Sequence, residues 1–363
     1  MKKVLIRFYS ANNLGDDLFI KVITNRYKNV FSLIAQVNTP AFKSIDNLNL
    51  YKNRILSSIS YRLSIFLNIS DLWLSILAKK NDLLVYIGGS LFIEGNNLQK
   101  WQQEKNLYQR CKIPYYILGS NVGPYKHEKF INILKDIFKN AEDVCFRDKA
   151  SYGLYEGLKT TRVASDIAFS LDISKYEIKD EKTAIFSIIN CDNRFGKNVT
   201  DRYDQEIINM TRQLVNKGYK VIYMSFCKYE GDEVAIKRIV NKLDIDLANK
   251  VKIFNYDGNL EEALSLIAKC KIMVASRFHA VILGLLFSKK VLPLAYSNKT
   301  INILHDLGFN GDVVDINNIN KFDGSNFNFD NLQINNVDEQ IKLSESQFQE
   351  LDKVLVRRKH HKQ

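Results

Sequence analysis

The residues with the clearest chemical content are Ser276-Arg277-Phe278-His279, which follow the apolar run 272–275 and open an apolar, helix-length stretch over 279–287. This spacing sets an Arg and a His at a strand's carboxyl end and a helix's N-terminus, where an anion is already favoured. A guanidinium forks onto a carboxylate or phosphate, and an imidazole transfers protons near neutrality. Arg277 and His279 are therefore read as anion ligand and acid–base group. The competing reading is Ser276 as a helix cap and His279 as a satisfied interface residue. Histidine is scarce, five in all with two in the final six residues, and that adds weight to the chemical reading.

Other groups repeat the same placement. Arg147-Asp148 ends the run 144–147, where Arg147 can grip an anion while Asp148 orients it or caps the next helix. Tyr296-Ser297-Asn298-Lys299 follows 291–295, and Lys299 adds a point charge suited to a phosphate. Three glycine-bearing turns follow strands of the first half: Asn13-Leu-Gly15-Asp16, Gly88-Gly89-Ser90, and Gly119-Ser-Asn-Val-Gly123-Pro124. Glycine lets backbone N–H groups approach a ligand there, although it is common in tight βα turns whatever the function. Asp16 or Asp17 is available as an N-cap.

These residues need parallel sheets to position them, and the chain supplies the pattern. Strands are predicted at 3–9, 30–36, 83–87, 115–119 and 144–147, with helices near 17–27 and 129–139. A polar linker over 171–182 precedes a second series, with strands at 183–189, 220–226, 251–254, 272–275 and 291–295. Helices at 201–217, 230–242, 260–269 and 279–287 separate them. The expected fold is α/β, with two Rossmann-like domains facing across a cleft in the manner of GT-B glycosyltransferases. The boundaries are 1–172 for an N-terminal domain, 183–316 for a C-terminal one, and 317–363 for a loop and a helix packing back on the body. Within that tail, 317–336 reads as a long loop, and Phe348, Leu351 and Leu355 share a helical face.

Composition sets outer bounds. The chain has 363 residues, 46% hydrophobic and 25% charged, as expected of a globular protein long enough for two domains. No apolar run is long enough to cross a membrane, and the charge at Arg7 makes the start a first strand rather than a signal peptide. Five scattered cysteines without a paired spacing read as reduced, buried thiols, so a cytoplasmic protein is expected. The net charge of +12 suits anionic substrates or peripheral contact with the cytoplasmic membrane face. Nucleic acid is not expected, because zinc-finger spacing, Arg-rich tracts and aromatic RNP patterns are missing. The stretch 54–80 is rich in Leu and Ile and broken near Asn68, Ser70 and Asp71. It reads as two short helices on the first domain, or else as an interfacial element near a lipid-linked acceptor.

The ordered set is similar to the polysaccharide pyruvyl transferase family. It comprises Asn13-Leu-Gly-Asp16, Gly88-Gly-Ser90, Leu118 to Pro124, Arg147-Asp148 with Ser151, Ser165-Asp166, Ser276 to His279 and Tyr296 to Lys299. The resemblance covers about residues 3–308. It implies phosphoenolpyruvate as donor, a glycan or lipid-linked saccharide as acceptor, and a pyruvate ketal with phosphate as products, with no cofactor and no strict need for metal. On that pattern His279, Arg277 and Asp16 are the catalytic candidates, with Asp166 an alternative base. Arg147, Lys299, Arg277, Ser276 and Ser297 are the donor contacts, and Gly15, Gly88, Gly89, Gly119 and Gly123 shape the cleft. Two rivals remain at this point: a GT-B glycosyltransferase using a nucleotide sugar, and a non-catalytic glycan- or membrane-binding component of polysaccharide assembly.

Overall fold

The computed structural model describes residues 2–9, 12–27, 31–33, 49–50, 59, 62–63, 71–296 and 298–356. Two wholly parallel sheets form among them. The first has seven strands in the order β3-β2-β1-β4-β5-β6-β7, and the second has six in the order β10-β9-β8-β11-β12-β13. Their bounds are β1 Val4–Arg7, β2 Phe31–Leu33, β3 Asn49–Leu50, β4 Leu83–Ile87, β5 Tyr115–Ser120, β6 Asp143–Phe146 and β7 Thr161–Val163 in the first sheet. In the second they are β8 Thr183–Ser187, β9 Lys220–Met224, β10 Val251–Phe254, β11 Ile272–Ala275, β12 Lys290–Ala295 and β13 Val314–Asp315. Burial on both faces explains why β11, Ile-Met-Val-Ala, reads as an unbroken apolar run rather than an alternating one.

In each sheet the strand order reverses once, between β1 and β4 and between β8 and β11. Such switch points open a crevice beyond the strands' carboxyl ends. The helix α1, Leu14–Arg26, leaves the first crevice and joins the halves. It buries residues around most of its circumference, because it packs on its own sheet and on helix Leu260–Lys269 of the second half. The Leu14 amide donates to the Phe226 carbonyl at 2.9 Å, and Asn13 forms a bridge with Cys227. One core cluster accordingly runs from Leu18 and Phe19 to Tyr256, Leu264 and Leu283.

Several expectations need adjustment. Asn13, not Asp16 or Asp17, caps α1, its side chain accepting from the Gly15 amide at 3.0 Å; both aspartates lie in the first helical turn. The predicted helix 230–242 starts at Asp232, because Gly231 takes a left-handed φ of 81° and leaves Glu230 on the short turn Lys228–Glu230. The helix expected at 201–217 begins earlier, at Asp192, with a break at Gly196. Helix Leu98–Cys111 was not expected from its polar sequence, and it buries Trp101, Leu107, Tyr108 and Cys111.

The tail packs back on both halves, and the expected loop 317–336 contains the short helical turns Ile316–Lys321 and Phe329–Asn331. Ile319 and Phe329 fill the second core, and Phe348 and Leu351 return to the first. Gln347 and Arg162 fasten that return: the Gly119 amide donates to Gln347 Oε1 at 3.0 Å, and Arg162 donates to the Gln347 carbonyl at 2.7 Å. Of the stretch 54–80, helix Leu72–Ala78 is described, capped by Asp71 and burying Leu74, Leu77 and Ala78. Most of 54–70 lies outside the described residues. All five cysteines are buried thiols outside any disulfide. Among the described residues no helix is long and apolar enough to cross a membrane.

Candidate active site

A cavity of about 290 Å³ opens between the two sheets at both switch points. From the first half it is lined by Tyr9, Asn13 and Asp16 beyond β1, by Gly89 to Leu91 and Ile93 beyond β4, and by Arg147 beyond β6. From the second half come Phe226 and Glu230 beyond β9, Arg277 to His279 beyond β11, and Tyr296 beyond β12.

Arg147 is held by its own half. Its Nη1 donates to Asp166 Oδ2 at 2.8 Å and its Nη2 to Asn121 Oδ1 at 2.9 Å, while buried Nε has no partner among the described residues. The guanidinium lies 4.7 Å over the Phe278 ring, so the second half covers its flat face. Asp148 caps helix Lys149–Gly153 by accepting from the Ser151 amide at 2.8 Å, which frees Asp166 to hold Arg147. Gly89 is required by this packing: a methyl there would lie 2.5 Å from Arg147 Nη1.

Arg277 stands at the N-cap position of helix Phe278–Leu286, and its side chain does not cap. Its Nε and Nη2 both donate to Asp232, whose second oxygen also accepts the Phe226 and Cys227 amides at 2.9 Å each. Its Nη1 donates to Glu230 Oε2 at 2.6 Å. Burial opposes this charge, but the Asp232 and Glu230 carboxylates more than offset that and raise the group above the usual Arg range.

His279 sits over α1. A methyl on Gly15 would lie 1.9 Å from its Nδ1, and Phe19 meets the ring edge-on at 5.2 Å between centroids. Its Nε2 is 4.0 Å from Asp166 Oδ2, the oxygen that also accepts from Arg147. One buried carboxylate therefore faces both the anion-binding Arg and the acid–base candidate. Asp16 reaches the cavity wall from the first turn of α1, whereas Asp166 stands behind it, its Oδ1 accepting the Ala168 amide at 2.8 Å.

Not every candidate is brought here. Ser276 turns away, its hydroxyl paired with Tyr203 at 2.8 Å. Gly88 faces Leu91, and Gly119, at φ 73°, makes room for Ile167. Gly123 neighbours Tyr125 and does not line the cavity. Ser297 and the side chain of Lys299 lie outside the described residues. The sequence reading gave no role to Asn121, Asp232, Glu230 or Tyr9. A signal existed for Glu230-Gly-Asp232, two acids at a strand-to-helix junction, but their pairing with Arg277 is a long-range event.

Similarity to known proteins agrees with this architecture. The Anabaena protein Alr3699/HepE, solved with UDP and glucose, superposes with a TM-score of 0.56 at 14% identity, covering 98% of this chain and 99% of that one. The UDP-GlcNAc 2-epimerase of Methanocaldococcus jannaschii gives 0.58 at 11% identity, with the same coverage of 98% and 99%. At those identities the likeness concerns the GT-B fold alone. The amylovoran biosynthesis protein AmsJ of Erwinia amylovora is 23% identical over 271 residues, which are 68% of this chain and 64% of that protein. The chain thus matches slightly under two thirds of that relative's length. Residues 13–298, which include the whole cavity lining except Tyr9, match the polysaccharide pyruvyl transferase family, and the chain belongs to that family.

Proposed function

We propose that this protein transfers the pyruvyl unit of phosphoenolpyruvate to two hydroxyls of a sugar, in a surface polysaccharide or its lipid-linked precursor. The product is a cyclic pyruvate ketal, and phosphate is released. The observation that carries this reading is the convergence of Arg147, Arg277 and His279 on one cavity between the two sheets. Family membership supports it, and the role of AmsJ in amylovoran biosynthesis supports a polysaccharide acceptor.

The donor carries a carboxylate and a phosphate, and two guanidiniums from opposite walls suit two anionic groups. His279 supplies a proton to the donor's methylene carbon, leaving an oxocarbenium-like centre at C2. The first sugar hydroxyl bonds to C2 and gives its proton to Asp16. The C2–O bond to phosphate then breaks, with the electron pair leaving on phosphate. The second hydroxyl bonds to C2, gives its proton to the now neutral His279 and closes the ketal, while the proton on Asp16 passes to the departing phosphate. Asp166 acts as a positioning residue, facing His279 Nε2 while it anchors Arg147. The bound donor's negative charge favours the imidazolium, so the acid is protonated when its substrate is in place.

The test is calorimetric binding of phosphoenolpyruvate against a panel of nucleotide sugars, followed by phosphate release with candidate glycans. Binding of phosphoenolpyruvate with acceptor-dependent phosphate release is expected. A protein that binds a nucleotide sugar and ignores phosphoenolpyruvate is instead a GT-B glycosyltransferase.

A further inference from the structure

Glu230 is the carboxylate that the second half contributes to the cavity lining, and one oxygen of it bridges two guanidiniums. Its Oε2 accepts from Arg277 Nη1 at 2.6 Å and from Arg194 Nη2 at 2.8 Å. Arg194 comes from the first turn of helix Asp192–Asn216 and lies 4.8 Å over the ring of Tyr296, itself part of the cavity wall.

The two acids on Arg277 differ in what they are needed for. Asp232 is fully buried, takes two nitrogens of the fork and also serves two backbone amides. It neutralises and orients Arg277 without help. Glu230 is 34% exposed and rides on the three-residue turn Lys228–Glu230, which ends at the left-handed Gly231. Moving it breaks no strand or long helix. It covers the one edge of Arg277 that Asp232 leaves, and it keeps two like charges from facing each other uncompensated.

We propose that Glu230 is a built-in stand-in for an anionic group of the substrate. The cradle between Arg194 and Arg277 is then an anion subsite, which takes a carboxylate or phosphate oxygen when Glu230 swings aside. This rests on the reading of the cavity as the site of an anionic donor, and it adds Arg194 to the binding groups. It also supplies selectivity, because a neutral sugar hydroxyl cannot replace a carboxylate between two guanidiniums, whereas a charged donor can.

Calorimetric titration of wild type, Glu230→Gln and the double variant Glu230→Gln/Arg194→Ala tests this, with Glu233→Gln as a charge control on the adjoining helix. The probes are phosphoenolpyruvate, inorganic phosphate and pyruvate. Glu230→Gln should bind phosphoenolpyruvate about five- to tenfold more tightly, since the internal competitor is gone. The same gain with phosphate or with pyruvate tells which group uses the subsite. The gain should vanish in the double variant, and Glu233→Gln should change affinity by no more than about twofold. No gain on any probe overturns the inference, as does a gain that survives loss of Arg194 or is matched by Glu233→Gln. If wild type turns over phosphoenolpyruvate while Glu230→Gln gains nothing, the subsite fails and the donor assignment stands. If neither protein binds phosphoenolpyruvate but Glu230→Gln gains on phosphate, the subsite stands and the donor assignment fails.

Discussion

Arg147 and Arg277 occupy matching stations in the two halves, each just beyond a strand's carboxyl end at the mouth of a helix. Their surroundings differ. Arg147 is fixed by Asp166 and Asn121, roofed by Phe278, and only 2% exposed in its side chain. Arg277 is fixed on one edge by buried Asp232 and covered on the other by partly exposed Glu230. The first half thus offers a rigid grip whose counter-ion also faces His279, and the second offers a grip with an exchangeable partner. Chemistry that needs exact placement belongs with the rigid side, and ligand exchange belongs with the adjustable one.

The largest expected effect falls on His279, the group at the seam. His279→Ala should lower kcat by about 10²–10⁴-fold while calorimetric affinity for phosphoenolpyruvate changes much less. His279→Gln keeps a hydrogen-bond donor without a transferable proton, and should be nearly as slow. Next comes Arg277→Lys, which replaces a fork by a point charge and gives up part of the Asp232 clamp. About 2–5 kcal/mol of transition-state stabilisation should be lost in kcat/KM. Near-native activity in the folded variant would remove Arg277 from the site.

Two glycines separate the halves more finely. Gly15→Ala drives a methyl into His279, so kcat should fall by about 10²-fold, the size expected of a misplaced catalytic group. Gly89→Ala meets Arg147 instead, so the KM for phosphoenolpyruvate should rise by about tenfold, with kcat affected less. A kcat-only effect from both would mean that Arg147 serves His279 and not the donor.

The smallest effect concerns the joint between the halves. Asp17 on α1 accepts from the Tyr256 hydroxyl at 2.6 Å, and burial pushes its carboxyl up from 3.8 to about 7, with Tyr256 pulling it partly back. Between those values the folded protein holds a proton that the unfolded chain releases. This stabilising contribution is therefore complete below about pH 4 and is lost as pH rises through about 7, by at most about 1.4 kcal/mol per pH unit. Asp17→Asn should flatten that part of the melting-temperature profile. An unchanged profile would show that another group sets it.

The sequence carried the station of Arg277 and His279, because strand, charge pair and helix follow one another within a few residues. It also marked Gly15 and Gly89 as turn positions. It could not give the reason for them, since the atoms they make room for belong to His279 and Arg147, far along the chain. Asn121, Asp232 and Glu230 were missed for the same reason: each gains its role from a partner that only the folded sheets bring near. Helix Leu98–Cys111 hid behind its polar residues, one of which, Glu104, is buried only because Arg7 pairs with it at 2.7 Å.

The central claim is that both halves hold one anionic donor while His279 protonates it. Phosphate release from phosphoenolpyruvate, measured with an acceptor glycan for wild type and His279→Ala together, tests this most directly, with mass spectrometry of the glycan. Wild type should release phosphate only with acceptor present and in step with ketal formation, and His279→Ala should bind the donor and release almost none. Phosphate release by His279→Ala at close to the wild-type rate, or wild-type turnover without a pyruvylated glycan, would contradict the account.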